Sequence, residues 1–160
     1  MEVIDNFLDQ EDFKELQNLI IFNEQLPWYC ARHVANITTS DGFYFIHTIY
    51  THDEPISMLY KDIKEKILYK LGYKSLIRCK INLFPQSETL KSYDFHKDQP
   101  YKHKDAIFYL NTNNGFTLFK DGTKIESIEN RLLLFENNEE HASTNCTDEY
   151  ARYNINFNYF

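Results

Sequence analysis

The last ten residues, ARYNINFNYF, alternate without interruption: Arg152, Asn154, Asn156 and Asn158 fall on one side of an extended chain, and Tyr153, Ile155, Phe157 and Tyr159 on the other. Segments 43–50, 76–84, 105–111 and 131–135 share this aromatic and β-branched character and are separated by Asn, Gly and Asp clusters. No helix-forming stretch lies between the late segments. Parallel βαβ winding is therefore disfavoured, and an antiparallel sandwich or barrel follows. Helical periodicity occurs in two places. Asp9 can cap a helix over 10–22 in which Phe13, Leu16, Leu19 and Ile20 share a face. The segment 55–71 carries an apolar stripe of Ile56, Leu59, Tyr60, Ile63, Ile67, Leu68 and Leu71, with Pro55 suited to a first turn and Gly72 to a stop. Both helices are expected to pack outside one sheet.

A chain of 160 residues has room for one core of ordinary thickness. With 13 Phe and 12 Tyr against 4 Gly and 4 Pro, it can fill that core and is not a disordered chain. One domain over 1–160 is expected, with supporting helices and strands in 1–74 and a β core in 75–160. No apolar run reaches bilayer length, and MEVIDNFLDQ has acids where a signal peptide carries basic residues, so a soluble protein without a membrane partner is expected in the cytoplasm. A formal charge of −7 disfavours a chain whose task is to grip nucleic acid. Lys91, Lys97, Lys102 and Lys104 read as a solvated loop. Cys30, Cys79 and Cys146 are widely spaced and read as reduced thiols.

The polar side of the last strand faces either solvent or a wet cleft, and 76–84 repeats the choice, with Arg78, Lys80 and Asn82 opposite Ile77, Cys79, Ile81 and Leu83. The stretch FHKDQPYKHKDAIFYLN bears on that choice. His96 and Asp98 are two apart, so both side chains can point the same way on an extended chain, and His141 arrives on a later strand that can face them. Two imidazoles and a carboxylate suit non-haem Fe(II), with three positions left open. His103 and Asp105 form a second pair of the same spacing. His96 is preferred because a polar loop follows Asp98, whereas Asp105 runs straight into the strand IFYLN. His33, His47 and His52 read as surface or hydrogen-bonded core residues.

The order HxD, YLN, GxT, His141 and then Arg152 on a strand resembles the 2-oxoglutarate- and Fe(II)-dependent dioxygenase superfamily, in particular its small prolyl-hydroxylase-like members, over about residues 76–160. The resemblance implies a mainly β protein with flanking helices, whose core is a double-stranded β-helix (jelly-roll, cupin-like) with two N-terminal helices packed on one sheet. It implies Fe(II) held by His96, Asp98 and His141, 2-oxoglutarate and O₂ as cosubstrates, and hydroxylation of a small-molecule or peptidyl substrate. Arg152 matches the basic residue that pairs with the distal carboxylate of 2-oxoglutarate, a role suited to the guanidinium fork, and Tyr109 matches a tyrosine that contacts the same carboxylate. Small members of this kind occur in bacteria and tailed phages, and for a phage protein the expected location is the host cytoplasm.

Two positions depart from the pattern. Phe84 before Pro85 stands where some relatives have a tyrosine, and Asn82 on the same face is the candidate for the substitute hydrogen bond. Gly115 and Thr117 stand in place of a paired-glycine turn. Two alternatives remain open at this point: a cupin-like protein holding another metal without 2-oxoglutarate, and a β-sandwich binding module without catalysis.

Overall fold

In the computed structural model, which describes residues 1–35, 42–136 and 139–160, every strand pairing is antiparallel. The strands are β1 (Glu2–Ile4), β2 (Tyr29–Ala31), β3 (Tyr44–Thr51), β4 (Glu54–Pro55), β5 (Leu76–Pro85), β6 (Lys104–Tyr109), β7 (Phe116–Phe119), β8 (Lys124–Glu126), β9 (Arg131–Glu136), β10 (His141–Ser143) and β11 (Ala151–Tyr159). The larger sheet runs β1-β9-β6-β11-β5-β3-β2, with β4 attached to β3, and the smaller runs β10-β7-β8. The alternating segments thus became strands, and the long polar-apolar strand β11 sits centrally between β5 and β6.

Helix α1 (Gln10–Ile20) begins where the sequence places it, with the Asp9 carboxylate accepting the Asp12 amide at 2.9 Å. Its buried residues Phe13, Leu16 and Ile20 meet Phe108, Leu110, Leu132, Ile155 and Phe157 in one core on the outer face of the larger sheet. The second helical segment departs from expectation. It starts at Tyr60 rather than at Pro55, and it is composite: α2 (Tyr60–Ile63), a π-helical stretch (Lys64–Leu68) and α3 (Tyr69–Leu71). Gly72 ends it in the left-handed conformation. The two helical segments are separated in the chain by β2, β3 and β4. Pro55 is lost to the helix through a hairpin: His52 and Asp53 both have positive φ, at 51° and 62°, and that two-residue turn folds Glu54–Pro55 back onto Tyr50 and Thr51.

The inward faces of β5 and β11 run side by side in register: Arg152 opposite Phe84, Asn154 opposite Asn82, Asn156 opposite Lys80, and Asn158 opposite Arg78. The polar row of β11 is buried, so it does not face solvent. Its amides are enclosed between the two sheets, where each needs a partner. No helix among the described residues is long and apolar enough to cross a membrane.

Candidate active site

His96 and His141 are brought together by the backbone. Their chains form an antiparallel bridge in which His96 N–H donates to His141 C=O at 3.0 Å and His141 N–H donates to His96 C=O at 3.1 Å. Residues directly opposite in such a pair project to the same face, and the two imidazole centroids lie 4.7 Å apart. Asp98 is two residues further along the same extended segment and turns the same way. One ligand atom from each of the three falls within 4.8 Å of the others, and among the described residues this is the one cluster of metal-ligating side chains with that geometry.

Each ligand is prepared differently. His141, 2% exposed, is packed by the Phe135 ring at 4.9 Å and the Phe119 ring at 6.2 Å. Burial pushes its pKa down to about 4 against the attraction of Asp98, so at neutral pH it is the uncharged imidazole that a metal requires. Asp98 is almost as deep, with a side chain 4% exposed. Burial alone opposes its charge, but the His96 contact and the charges of Arg78 and Lys80 outweigh that and hold the carboxyl well below the usual range. Its Oδ2 accepts from Asn156 Nδ2 at 3.0 Å and from Asn158 Nδ2 at 2.8 Å. Arg78 Nη2 lies 3.1 Å from Oδ1 as a charge contact without the direction of a hydrogen bond. His96 is the most exposed of the three, with a side chain 20% exposed.

Nothing near Asp98 in the sequence announces these donors, because Asn156 and Asn158 stand about 60 residues away in the chain. Only the polar alternation of β11 hinted at them. Groups that orient a ligating carboxylate are part of what sets metal affinity. Asn158→Ala is expected to weaken Fe(II) binding about 10- to 100-fold, as read by competition against a chelating dye, with the helical and sheet content by circular dichroism unchanged.

The second HxD pair goes elsewhere. His103 and Asp105 are both buried, and His103 Nε2 bonds Asp105 Oδ1 at 2.8 Å. Burial and the neighbouring Asp98 charge push the Asp105 carboxyl up to about 6. His47 is held by the Pro27 carbonyl and the Ser57 hydroxyl, and His52 serves the hairpin turn. The lysines 91, 97, 102 and 104 are all exposed.

Arg152 is fully buried and carries its charge without a carboxylate: among the described residues no Asp or Glu pairs with it. Nη1 donates to the Thr144 carbonyl and Nη2 to Thr117 Oγ1, both at 3.2 Å, while Nε is left without a partner. Tyr109, also buried, bonds Thr117 Oγ1 through its hydroxyl at 2.8 Å, and the Phe84 and Tyr109 rings lie 5.4 and 5.6 Å from the guanidinium carbon. Gly115 is required by the same packing. A Cβ there would meet Arg152 Cδ at 2.6 Å and the Asn145 carbonyl at 2.5 Å.

A narrow cleft with ≈ 20 Å³ of free space opens beside the three ligands, lined also by Val34, Tyr44, Lys80, Asn82, Phe84, Ile107, Ser143, Asn154 and Asn156. Arg152 does not itself line it, although Phe84 and Asn154, its neighbours on the same inward face, do. Asn82 donates its amide to Asn154 Oδ1 at 2.8 Å and leaves its own Oδ1 as an unpaired acceptor. The second hydrogen of the Asn82 amide is not used in that bond, so Asn82 keeps one donor as well as an acceptor.

The donor set and the arginine fit the groups that the resemblance implies. Two imidazoles and a carboxylate on one side of a cleft are suited to ferrous iron with open positions, and a buried, carboxylate-free guanidinium is suited to an incoming carboxylate.

No protein-family model matches this sequence, and no curated protein matches it. Solved structures match in fold. A prolyl hydroxylase from Trichoplax adhaerens, in complex with a hypoxia inducible factor oxygen degradation domain peptide fragment, has a TM-score of 0.69 at 21% identity, over 99% of this chain and 82% of that one. An oxidoreductase of the 2OG-Fe(II) oxygenase family from Burkholderia pseudomallei has a TM-score of 0.66 at 12% identity, over 91% and 78%. A viral collagen prolyl hydroxylase from Paramecium Bursaria Chlorella virus-1, in its 2OG complex, has a TM-score of 0.64 at 15% identity, over 98% and 93%. The likeness establishes a shared jelly-roll fold with prolyl hydroxylases and 2OG-Fe(II) oxygenases.

Proposed function

We propose that this chain is an Fe(II)- and 2-oxoglutarate-dependent oxygenase that hydroxylates a small-molecule or peptidyl substrate. The observation that carries the reading is the pairing of two features between the same two sheets: a His96–Asp98–His141 cluster with ligand atoms within 4.8 Å, and a fully buried Arg152 without a carboxylate. The fold likeness to prolyl hydroxylases supports it.

When bound, Fe(II) with 2-oxoglutarate and O₂ supplies the oxidative chemistry, in which the keto acid becomes succinate and CO₂ while a substrate C–H bond becomes C–OH. The chain's own residues hold and enclose. His96, Asp98 and His141 would occupy one face of the ion. Asn156 and Asn158 fix the Asp98 carboxylate so that Oδ1 is left toward His96. Arg152 would take the distal carboxylate through its fork, with Thr117 and Tyr109 keeping the guanidinium in place. Phe84 and Ile107 make the apolar part of the wall and limit water near the ion.

Anaerobic protein with one equivalent of Fe(II) is expected to develop a visible charge-transfer band on addition of 2-oxoglutarate, and succinate and CO₂ on admission of O₂. Stoichiometric iron with no band identifies a metal protein that does not use the keto acid. Failure to retain iron at all leaves a non-catalytic module.

A further inference from the structure

Within the proposed function, the keto acid brings two carboxylates, and Arg152 serves one. The metal-proximal carboxylate has no cation assigned to it. Two side chains converge on the gap. Lys80 and Tyr44 both line the cleft alongside His96, Asp98 and His141. They come from adjacent strands, Lys80 from the inward row of β5 and Tyr44 from β3. Lys80 Nζ donates to Tyr44 Oη at 3.1 Å and lies 5.4 Å from the centre of the Tyr44 ring.

Position along the barrel separates Lys80 from Arg152. Lys80 stands opposite Asn156, the residue that bonds Asp98, whereas Arg152 stands opposite Phe84. The two levels differ by four residues, roughly 13 Å of strand. Lys80 is therefore level with the ligand cluster, and its charge is felt at both Asp98 and His141. Among the described residues it has no carboxylate ion pair. The bond to Tyr44 uses one ammonium hydrogen and a lone pair of the hydroxyl. Two ammonium hydrogens and the phenolic hydrogen are then free to donate. The Tyr44 ring is fixed in turn, stacked on Phe84 with centroids 5.1 Å apart and planes 10° apart. Asn82, the other polar neighbour, stands two residues nearer Arg152 and gives one amide hydrogen to Asn154.

We propose that Lys80 and Tyr44 together form a clamp for the metal-proximal carboxylate of the keto acid, with donors supplied from β5 and β3. This rests on the function proposed above. A charged pair of donors on a carboxylate in a partly enclosed cleft is strong and directional. Tyr44 holds the flexible ammonium in place, so that less freedom is lost on binding.

Truncated ligands test the assignment. 2-Oxopentanoate keeps the keto acid head and lacks the distal carboxylate, so it cannot engage Arg152. Affinities of 2-oxoglutarate and 2-oxopentanoate are measured by calorimetry on Mn(II)-loaded protein and by the anaerobic Fe(II) charge-transfer band. Lys80→Met is expected to weaken both ligands alike, about 10- to 100-fold, with Lys80→Arg recovering most of the loss and Tyr44→Phe showing a smaller loss on both. A Lys80→Met penalty on 2-oxoglutarate that disappears with 2-oxopentanoate would place Lys80 at the distal end and overturn the clamp. Unchanged affinity for both ligands would overturn it as well, while leaving the oxygenase reading intact. Wild-type protein that holds metal but binds neither keto acid overturns both.

Discussion

His96→Ala abolishes succinate formation and leaves the fold intact, whereas Asp98→Ala abolishes it and also destabilises the protein: this split is the expected result for the metal centre. Either change removes one of three ligands, and two are too few to hold the ion in the facial arrangement. The stability cost differs because the two side chains stand in different surroundings. His96 is partly exposed, and apart from Asp98 its ring meets the His141 ring and lies 3.3 Å from the Asp94 carbonyl, contacts that no buried partner depends on for its charge. Asp98 is the common acceptor for Asn156 and Asn158 and the counter-charge of Arg78. Its removal strands two buried amide donors and a partly buried cation, at a cost of about 3 kcal/mol. Urea unfolding of the metal-free variants, alongside circular dichroism, reads the split. Asp98→Asn, which keeps the shape and some of the acceptors, should lie between wild type and Asp98→Ala in stability and still fail to turn over. The sign with pH follows from the depressed Asp98 carboxyl. The stability difference between wild type and Asp98→Asn is present above pH ~4 and fades as pH falls through the lowered folded value. Succinate production that persisted in both alanine variants would exclude these residues as ligands.

Much of this site can be read from the sequence because its main devices are local. A spacing of two puts His96 and Asp98 on one side of a strand, and the same period sorts β11 into an apolar face toward the helices and a polar face toward the cleft. The choice of His96 over His103 also rests on local context. Its physical basis in the fold is the backbone bridge from His96 to His141, while His103 lies just before β6 and closes on Asp105. Long-range pairing is where local reasoning ends. Nothing near Asp98 in the chain announces Asn156 and Asn158, and nothing near Lys80 announces Tyr44, 36 residues earlier. β1 and β2 have three residues each, too few for an alternation to register. The His52–Asp53 turn was concealed for a different reason. Its residues adopt positive φ without the Asn-Gly or Gly-Gly signature of such hairpins, so Pro55 read as the opening of a helix.

Arg152→Met should leave the protein as stable as wild type, or more so, and weaken 2-oxoglutarate on the order of 100-fold. Ordinarily the loss of a buried guanidinium leaves an orphaned carboxylate, and that orphan makes such changes costly. Here no described Asp or Glu would be orphaned. The groups released are a backbone carbonyl and a hydroxyl that still has the Tyr109 bond, and burial already opposes the charge, lowering the Arg152 pKa. The methionine thioether can fill the space between the Phe84 and Tyr109 rings. A residue retained at such a cost to its own ionisation is explained by a ligand that brings the missing negative charge. Phe84 lines the cleft and lies between it and the Arg152 guanidinium, which is not part of the lining, so Phe84→Leu should alter the rate of keto acid binding more than its affinity. Arg152→Lys keeps the charge but not the fork and should recover only part of the affinity. 2-Oxopentanoate, with no distal carboxylate, should bind wild type and Arg152→Met equally. An Arg152→Met protein that binds 2-oxoglutarate as wild type does would remove the cosubstrate role from Arg152, and a marked loss of stability would show that the guanidinium is there for the fold.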